Sequence, residues 1–351
     1  MEVKLKVQDL SVSFVTPAGR ILALRGVNFE VSRGETLAIV GESGSGKSVT
    51  SKAILGILAR NARVDAGEIL YDGEDLLTLS ERSLQRIRGK KIAMIFQDPL
   101  SALDPIMKIG RQLTETMCRG ISPRSRNEAR KRALQLMEEV GIPDPQRCWG
   151  QYPFELSGGM RQRIVIAMAL ASDPDMLLCD EPTTALDVTI QAQILDLINR
   201  LKEERHLSII FITHDLGVVA HMADRIAVMY AGKIVESGTV EDIFYHAAHP
   251  YTWALLSSMP DPHTAGRLEA IPGSPPILTS PPAGDAFAPR NRYAMQIDFE
   301  MEPPLFRVSE THTAATWLLH PSAPRVSPPT IVTDRIRRMQ EQIQAEKGES
   351  S

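Results

Sequence analysis

Cysteine is scarce in this chain: Cys118, Cys148 and Cys179 are the only three among 351 residues. No two stand at a C-x-x-C spacing, so neither a zinc cluster nor a disulfide framework is indicated. Long apolar runs are missing too. The longest tight stretch, Ile164 to Ala171, is far short of the roughly 20 residues a spanning helix needs. The N-terminal MEVKLKVQDL has no apolar core of signal-peptide length. A protein outside the membrane is expected, touching it only through a partner. Positive charge is not in excess either, with Lys+Arg 39 against Asp+Glu 43 and a net charge of −4. That balance argues against nucleic acid as a partner, because such binding needs clustered Lys and Arg. What remains is ordinary for a soluble globular protein, at 43% hydrophobic and 23% charged residues. The length accommodates one large core plus an appendage.

Leu5, Val7 and Leu10 to Phe14 alternate loosely, and Gly19 marks a turn before Ile21 to Leu24 and Val27 to Val31; these read as strands. Thr36 to Val40 is an unbroken apolar run of the kind found in buried parallel strands. A glycine loop and a helical stretch from Ser48 to Leu58 follow. Arg126 to Val140 has helical spacing and stops at Gly141, which marks a helical insertion. Alternation then resumes, with strands at Met176 to Cys179 and Ser208 to Thr213 and a helix at Ile190 to Lys202 between them. From Pro260 onward lie more than half of the 24 prolines, which disfavours continuous helix or central strand. That region reads as a compact loop-rich appendage or a partly disordered one. Ile331 to Glu346 is a candidate final helix, with Ile336, Met339 and Ile343 on one side. No internal repeat occurs.

Gly41-Glu42-Ser43-Gly44-Ser45-Gly46-Lys47-Ser48 fits G-x-x-x-x-G-K-[ST] between an expected strand and an expected helix. The glycines let backbone N–H groups turn inward around phosphate oxygens, and the helix N-terminus adds a favourable field. In this motif Lys47 reaches the β- and γ-phosphates and the Ser48 hydroxyl ligates Mg²⁺. Met176 to Cys179 is an apolar strand ending in Asp180-Glu181. Asp180 is placed to hold Mg²⁺. Glu181 points the other way along the strand and suits a general base for an attacking water. Ser157-Gly158-Gly159 opens an apolar helix. Read locally it is an N-cap and a turn; read with the phosphate loop it is a second anion site.

At Leu156-Ser157-Gly158-Gly159-Met160-Arg161-Gln162-Arg163 the sequence resembles the signature motif of the ABC ATPases. The resemblance implies an α/β P-loop (RecA-like) core with an inserted helical subdomain and a proline-rich C-terminal appendage. The implied boundaries are 1–90 and 164–258 for the core with its N-terminal β-subdomain, 91–163 for the helical part, 259–330 for the appendage and 331–351 for a tail. It also implies roles. Gln97 is similar to the glutamine that contacts Mg²⁺ and senses the membrane partner. Ala185-Leu186-Asp187 resembles the loop along the dimer seam, and His214 the histidine that holds the γ-phosphate. Phe14 is a candidate to stack on adenine, with core packing as the other reading. The family packs two subunits head to tail, so each ATP lies between Lys47 of one and Ser157-Gly158-Gly159 of the other.

Asp98 to Pro105, Tyr152 to Ser157, His249-Pro250-Tyr251-Thr252 and Ile271 to Pro276 are similar to ATP-binding subunits of bacterial oligopeptide, dipeptide and nickel importers. That implies ATP and Mg²⁺ as ligands, two membrane permease subunits, a second and non-identical ATPase subunit, and a solute-binding protein acting indirectly. It places the chain peripherally on the cytoplasmic face of the inner membrane. Many relatives of this kind hold an iron–sulfur cluster on four appendage cysteines. The corresponding positions here are Asp285, Asn291, Asp298 and Thr316. Without thiolates a cluster has no ligands, so none is expected, and the appendage should be held by packing alone. The competing readings are a soluble ABC ATPase acting on ribosomes or DNA, an exporter subunit, and an unrelated P-loop kinase or GTPase.

Overall fold

The computed structural model describes residues 2–17, 19–118, 125–184, 186–259, 271–276, 278–279, 281–334 and 336–338. In chain order the first strands are β1 (Val3–Thr16), β2 (Gly19–Ser32), β3 (Thr36–Val40), β4 (Ala62–Tyr71), β5 (Glu74–Asp75) and β6 (Ile92–Ile95). After them come β7 (Met176–Asp180), β8 (Ser208–Thr213), β9 (Arg225–Tyr230), β10 (Lys233–Thr239), β11 (Phe306–Arg307) and β12 (Thr313–Ala314). They form an antiparallel sheet ordered β2-β1-β4-β5 and a mixed sheet ordered β11-β12-β10-β9-β3-β8-β7-β6.

The middle of the larger sheet is parallel, from β9 through β3, β8 and β7 to β6. Parallel strands are covered on both faces, and β3, β7 and β8 are buried along their whole length. Their side chains alternate between two cores, as a period of two requires. Leu37, Ile39, Ile210 and Ile212 pack toward the antiparallel sheet, with Leu5, Val7 and Ile69. Ile209 and Phe211 pack on the opposite face against Ile164, Leu195 and Ile198. That second face carries the helix Val188–Arg205 and continues into the helical region.

In the helical region, the helix Arg126–Glu139 opens on Ser125, whose side chain and that of Glu128 form a reciprocal capping box. Gly141, at φ +78°, follows its end. Two boundaries differ from the expectation. β6 pairs in register with β7, so residues 92–95 belong to the core sheet and the insertion begins after them. Its other end falls inside the unbroken helix Gly158–Leu170, so residue 163 divides nothing. The helix after the phosphate loop is also shorter than expected, Lys47–Ile54, because Gly56 takes a left-handed φ of +62°.

The appendage joins the core rather than hanging from it. β12 pairs with β10 at Glu236↔Ala314 and Ser237↔Thr313, and Leu22 N–H donates to the Leu278 carbonyl at 2.9 Å. Packing is not alone in holding it. Glu302 pairs with Arg25 at 2.7 Å and Lys233 at 2.6 Å, and buried Glu236 bonds His312 Nε2 at 2.7 Å. Residues 330–334 are helical; Met339 and Ile343 of the expected final helix lie outside the described residues.

Candidate active site

β3 delivers the chain into the phosphate loop, and Gly46 stands at the N-cap of the helix Lys47–Ile54 without a side-chain cap bond. The first N–H groups of that helix therefore face the loop uncapped. Lys47 is 5% exposed, and its Nζ donates to the carbonyls of Gly41 at 2.7 Å and Glu42 at 2.9 Å. Burial pulls its pKa below the ordinary 10.5. Ser45 Oγ is buried and has no hydrogen-bond partner among the described residues, and Ser45 does not line the cavity described below.

β8 runs beside β3 and β7 beside β8, and they bring the other groups to the same sheet end. Ser48 Oγ donates to Asp180 Oδ1 at 2.8 Å, and burial pushes the Asp180 carboxyl above its ordinary 3.8. A hydroxyl and a buried carboxylate in contact fit an octahedral, oxygen-seeking Mg²⁺. Glu181 follows at φ +48°, a conformation costing a non-glycine residue on the order of 1 kcal/mol or more. Its N–H is tied to the Ile212 carbonyl at 2.9 Å. Its carboxylate thereby turns away from Asp180 and becomes a hub. Gln97 Nε2 donates to Oε2 at 3.1 Å and Thr184 Oγ1 to the same oxygen at 2.9 Å. His214 Nδ1 lies 3.3 Å from Oε1.

Gly41, Glu42, Ser43, Gly44, Gly46, Lys47, Ser48, Gln97, Glu181 and His214 line one cavity of about 950 Å³. Phe14 does not line it. It sits half-buried on β1 opposite Ile21 and Ala62; the apolar wall is supplied by Ala23, Leu255, Ile271 and Pro275. Ser157, Gly158 and Gly159 also lie elsewhere. Ser157 is an exposed N-cap accepting from Met160 N–H. Ala185 lies outside the described residues. Thr184 was not legible as a partner of Glu181, although a hydroxyl residue just after an acidic strand end was a signal for it. Leu255, Ile271 and Pro275 carried no local signal.

The four appendage positions do not fit an iron–sulfur cluster. None is a thiolate, and each side chain is engaged as a backbone cap. Asp285 accepts from Phe287 N–H at 2.9 Å, Asn291 from Tyr293 at 2.9 Å, Asp298 from Met295 at 2.6 Å and Thr316 from Leu318 at 3.3 Å.

A family model described as ABC transporter matches residues 24–184. One described as oligopeptide/dipeptide transporter, C-terminal region, matches residues 235–297. An AAA domain model, putative AbiEii toxin of a type IV toxin–antitoxin system, overlaps residues 150–220. The chain is 59% identical over 338 residues to the oligopeptide transport ATP-binding protein OppD of Bacillus subtilis (strain 168), covering 95% of this chain and 94% of that one. It is 56% identical to the dipeptide transport ATP-binding protein DppD of Lactococcus lactis subsp. cremoris (strain MG1363), over 96% and 97% of the two chains. Among solved structures it is similar to the dimeric bacterial ABC transporter cassette MJ0796, with TM-score 0.61, 30% identity and coverage of 67% of this chain and 98% of that one. A second structure of that cassette, in a post-hydrolysis state with ADP and Pi, matches equally well.

The fold and the cavity define an ABC transporter ATPase. Within that class the chain belongs to the family of oligopeptide/dipeptide-type ATP-binding subunits, and it is an ATPase. A kinase or GTPase reading is set aside.

Proposed function

We propose that this chain powers import of peptides or related small solutes across a bacterial inner membrane. It works from the cytoplasmic face against two permease subunits and a second, non-identical ATPase subunit. The observation that carries the reading is the convergence of Lys47, Ser48, Gln97, Glu181 and His214 on one cavity, while Ser157 and Gly158 are exposed and Gly159 half-buried away from it. Half of a nucleotide sandwich has this form.

Lys47 and the loop N–H groups bind the β- and γ-phosphates. Ser48 and Asp180, with Gln97, would hold Mg²⁺, which would neutralise charge on the phosphate oxygens. Glu181 accepts the proton of the attacking water, with its carboxylate oriented by Gln97 and Thr184. His214, more than half exposed, would hold the γ-phosphate. The signature loop of each subunit meets the nucleotide of the other, so ATP is part of the interface and its hydrolysis loosens it. A groove beside Gln97, lined by Arg86, Lys90, Phe96, Met107 and Met168, is the surface offered to a permease.

The test is ATP turnover and molecular size of Glu181→Gln beside the unaltered protein, with Mg²⁺ present. Turnover reduced at least a hundredfold, with an ATP-dependent dimer that persists, is the expected result. Unchanged turnover would remove Glu181 from the role of base.

A further inference from the structure

Glu42, the second residue of the phosphate loop, is gripped from outside the core. The Arg290 guanidinium makes a bidentate pair with it, Nη1 to Oε2 at 2.6 Å and Nη2 to Oε1 at 2.9 Å. Arg290 is itself buried, with only 5% of its side chain exposed. Its Nε donates to the Pro272 carbonyl at 2.7 Å and its Nη1 also to the Tyr230 hydroxyl at 3.2 Å. The guanidinium lies 5.7 Å from the centroid of the Tyr230 ring. The same loop residue is held by its backbone, since Glu42 N–H donates to the Tyr251 hydroxyl at 2.9 Å. Tyr251, Tyr230 and Phe287 pack ring against ring at 4.6 to 5.2 Å, so both grips are anchored in one aromatic cluster. Arg290 and Phe287 belong to the appendage; Tyr251 comes from the helix Pro250–Ser258.

The Glu42 carboxylate needs that grip. Glu42 lines the nucleotide cavity, and its carbonyl already binds Lys47 Nζ. A carboxylate released there would repel a polyphosphate and compete with it for Lys47. The planar fork of arginine answers both problems, because it neutralises the carboxylate and fixes its direction.

We propose that Arg290 is a positioning residue for ATP: the appendage draws Glu42 out of the phosphate path and sets the curvature of the loop. The inference rests on the reading that this loop holds ATP, and it adds a nucleotide-affinity role for a segment outside the core.

Equilibrium binding of a fluorescent ATP analogue to the full chain tests it as a double-mutant cycle. Arg290→Ala should weaken binding about tenfold or more. In a Glu42→Gln background the same change should weaken it less than about threefold, because no carboxylate is left to misplace. In the assembled transporter the loss should fall on KM for ATP and leave kcat within about threefold. Arg290→Lys, which keeps the charge and loses the fork, should give an intermediate loss, and it carries the same cycle if the alanine variant does not fold. Equal losses in both backgrounds, or no loss, would overturn the proposal. Lys47→Ala separates the two levels. If it leaves binding intact, the loop reading itself fails; if it abolishes binding while Arg290→Ala does nothing, only this inference fails.

Discussion

Replacing Gly46 by alanine tests how the phosphate loop is seated. Its φ is +109°, which side chains rarely adopt, and an added Cβ would lie 2.8 Å from Leu24 Cδ2 and Met229 Cε and 2.9 Å from the Ala23 carbonyl oxygen. The two side-chain ends can shift, but the oxygen is backbone of β2. Backbone strain and overpacking each contribute about 1–3 kcal/mol, so the variant should lose about 2–6 kcal/mol. Gly44 is the control. Its φ is +80°, yet nothing lies within 4 Å of a Cβ there, so Gly44→Ala should lose only about 1 kcal/mol. Urea unfolding of the nucleotide-free chain reads both, through midpoint shifts at constant slope. Turnover should separate them in the same order, since a displacement of about 1 Å at Lys47 costs about a hundredfold. Equal losses of stability in the two variants would refute the argument from close approach.

Burial holds the His249 imidazole below its ordinary 6.5 although Asp285, Glu236 and Asp298 pull it upward. The unfolded chain therefore takes up a proton that the folded chain refuses. Stability is full above pH 6.5 and falls on acidification toward the folded value, by at most about 1.4 kcal/mol per pH unit. His249→Asn keeps an acceptor for Tyr251 N–H and should flatten that slope; an unchanged slope would count against it. The burial-raised Asp285 and Asp298 carboxyls contribute with the opposite sign, and since His249 holds both down, they rise further in the variant. Burial also raises the thiols of Cys148 to about 11 and Cys179 to about 12. Alkylation of the folded chain at about pH 8 should therefore modify half-buried Cys118 alone. Mass spectrometry of digests checks this, and early modification of Cys179 would contradict its buried place.

The parts of the fold that could be read in advance are those written in short stretches of chain. β3, β7 and β8 are continuous apolar runs because both faces are covered, and the phosphate loop is contiguous. The acidic pair was legible for the same reason, since Asp180 and Glu181 close one such run. β6 is hard to place from sequence because its four residues, Ile92 to Ile95, are too few to show a period of their own. Phe14 is an adenine-stacking candidate only by resemblance, but β1 pairs it with Ile21 and Ala62, and only the folded pairing tells which way it is carried. The Arg290–Glu42 pair spans 248 positions. No periodicity reaches that far, and neither residue looks unusual where it stands.

That long-range pair helps tie the described residues of an appendage without thiolates to the core. A cluster or a disulfide stiffens a loop-rich segment by linking distant residues and restricting the unfolded chain. Here the oxygens at the four corresponding positions each cap a nearby backbone N–H, which fixes local turns but ties nothing distant together. The distant ties come from elsewhere: β12 on β10, Glu302 between Arg25 and Lys233, and Arg290 on Glu42. Each of these ends on the core, and the last ends on the phosphate loop. Exposed ion pairs contribute little, so Glu302, open to solvent, directs more than it stabilises. The weight falls on Phe287 within its aromatic cluster and on the buried Arg290. Of these ties, the buried Arg290 is the one that also holds Glu42, so loosening that part of the appendage disturbs the loop.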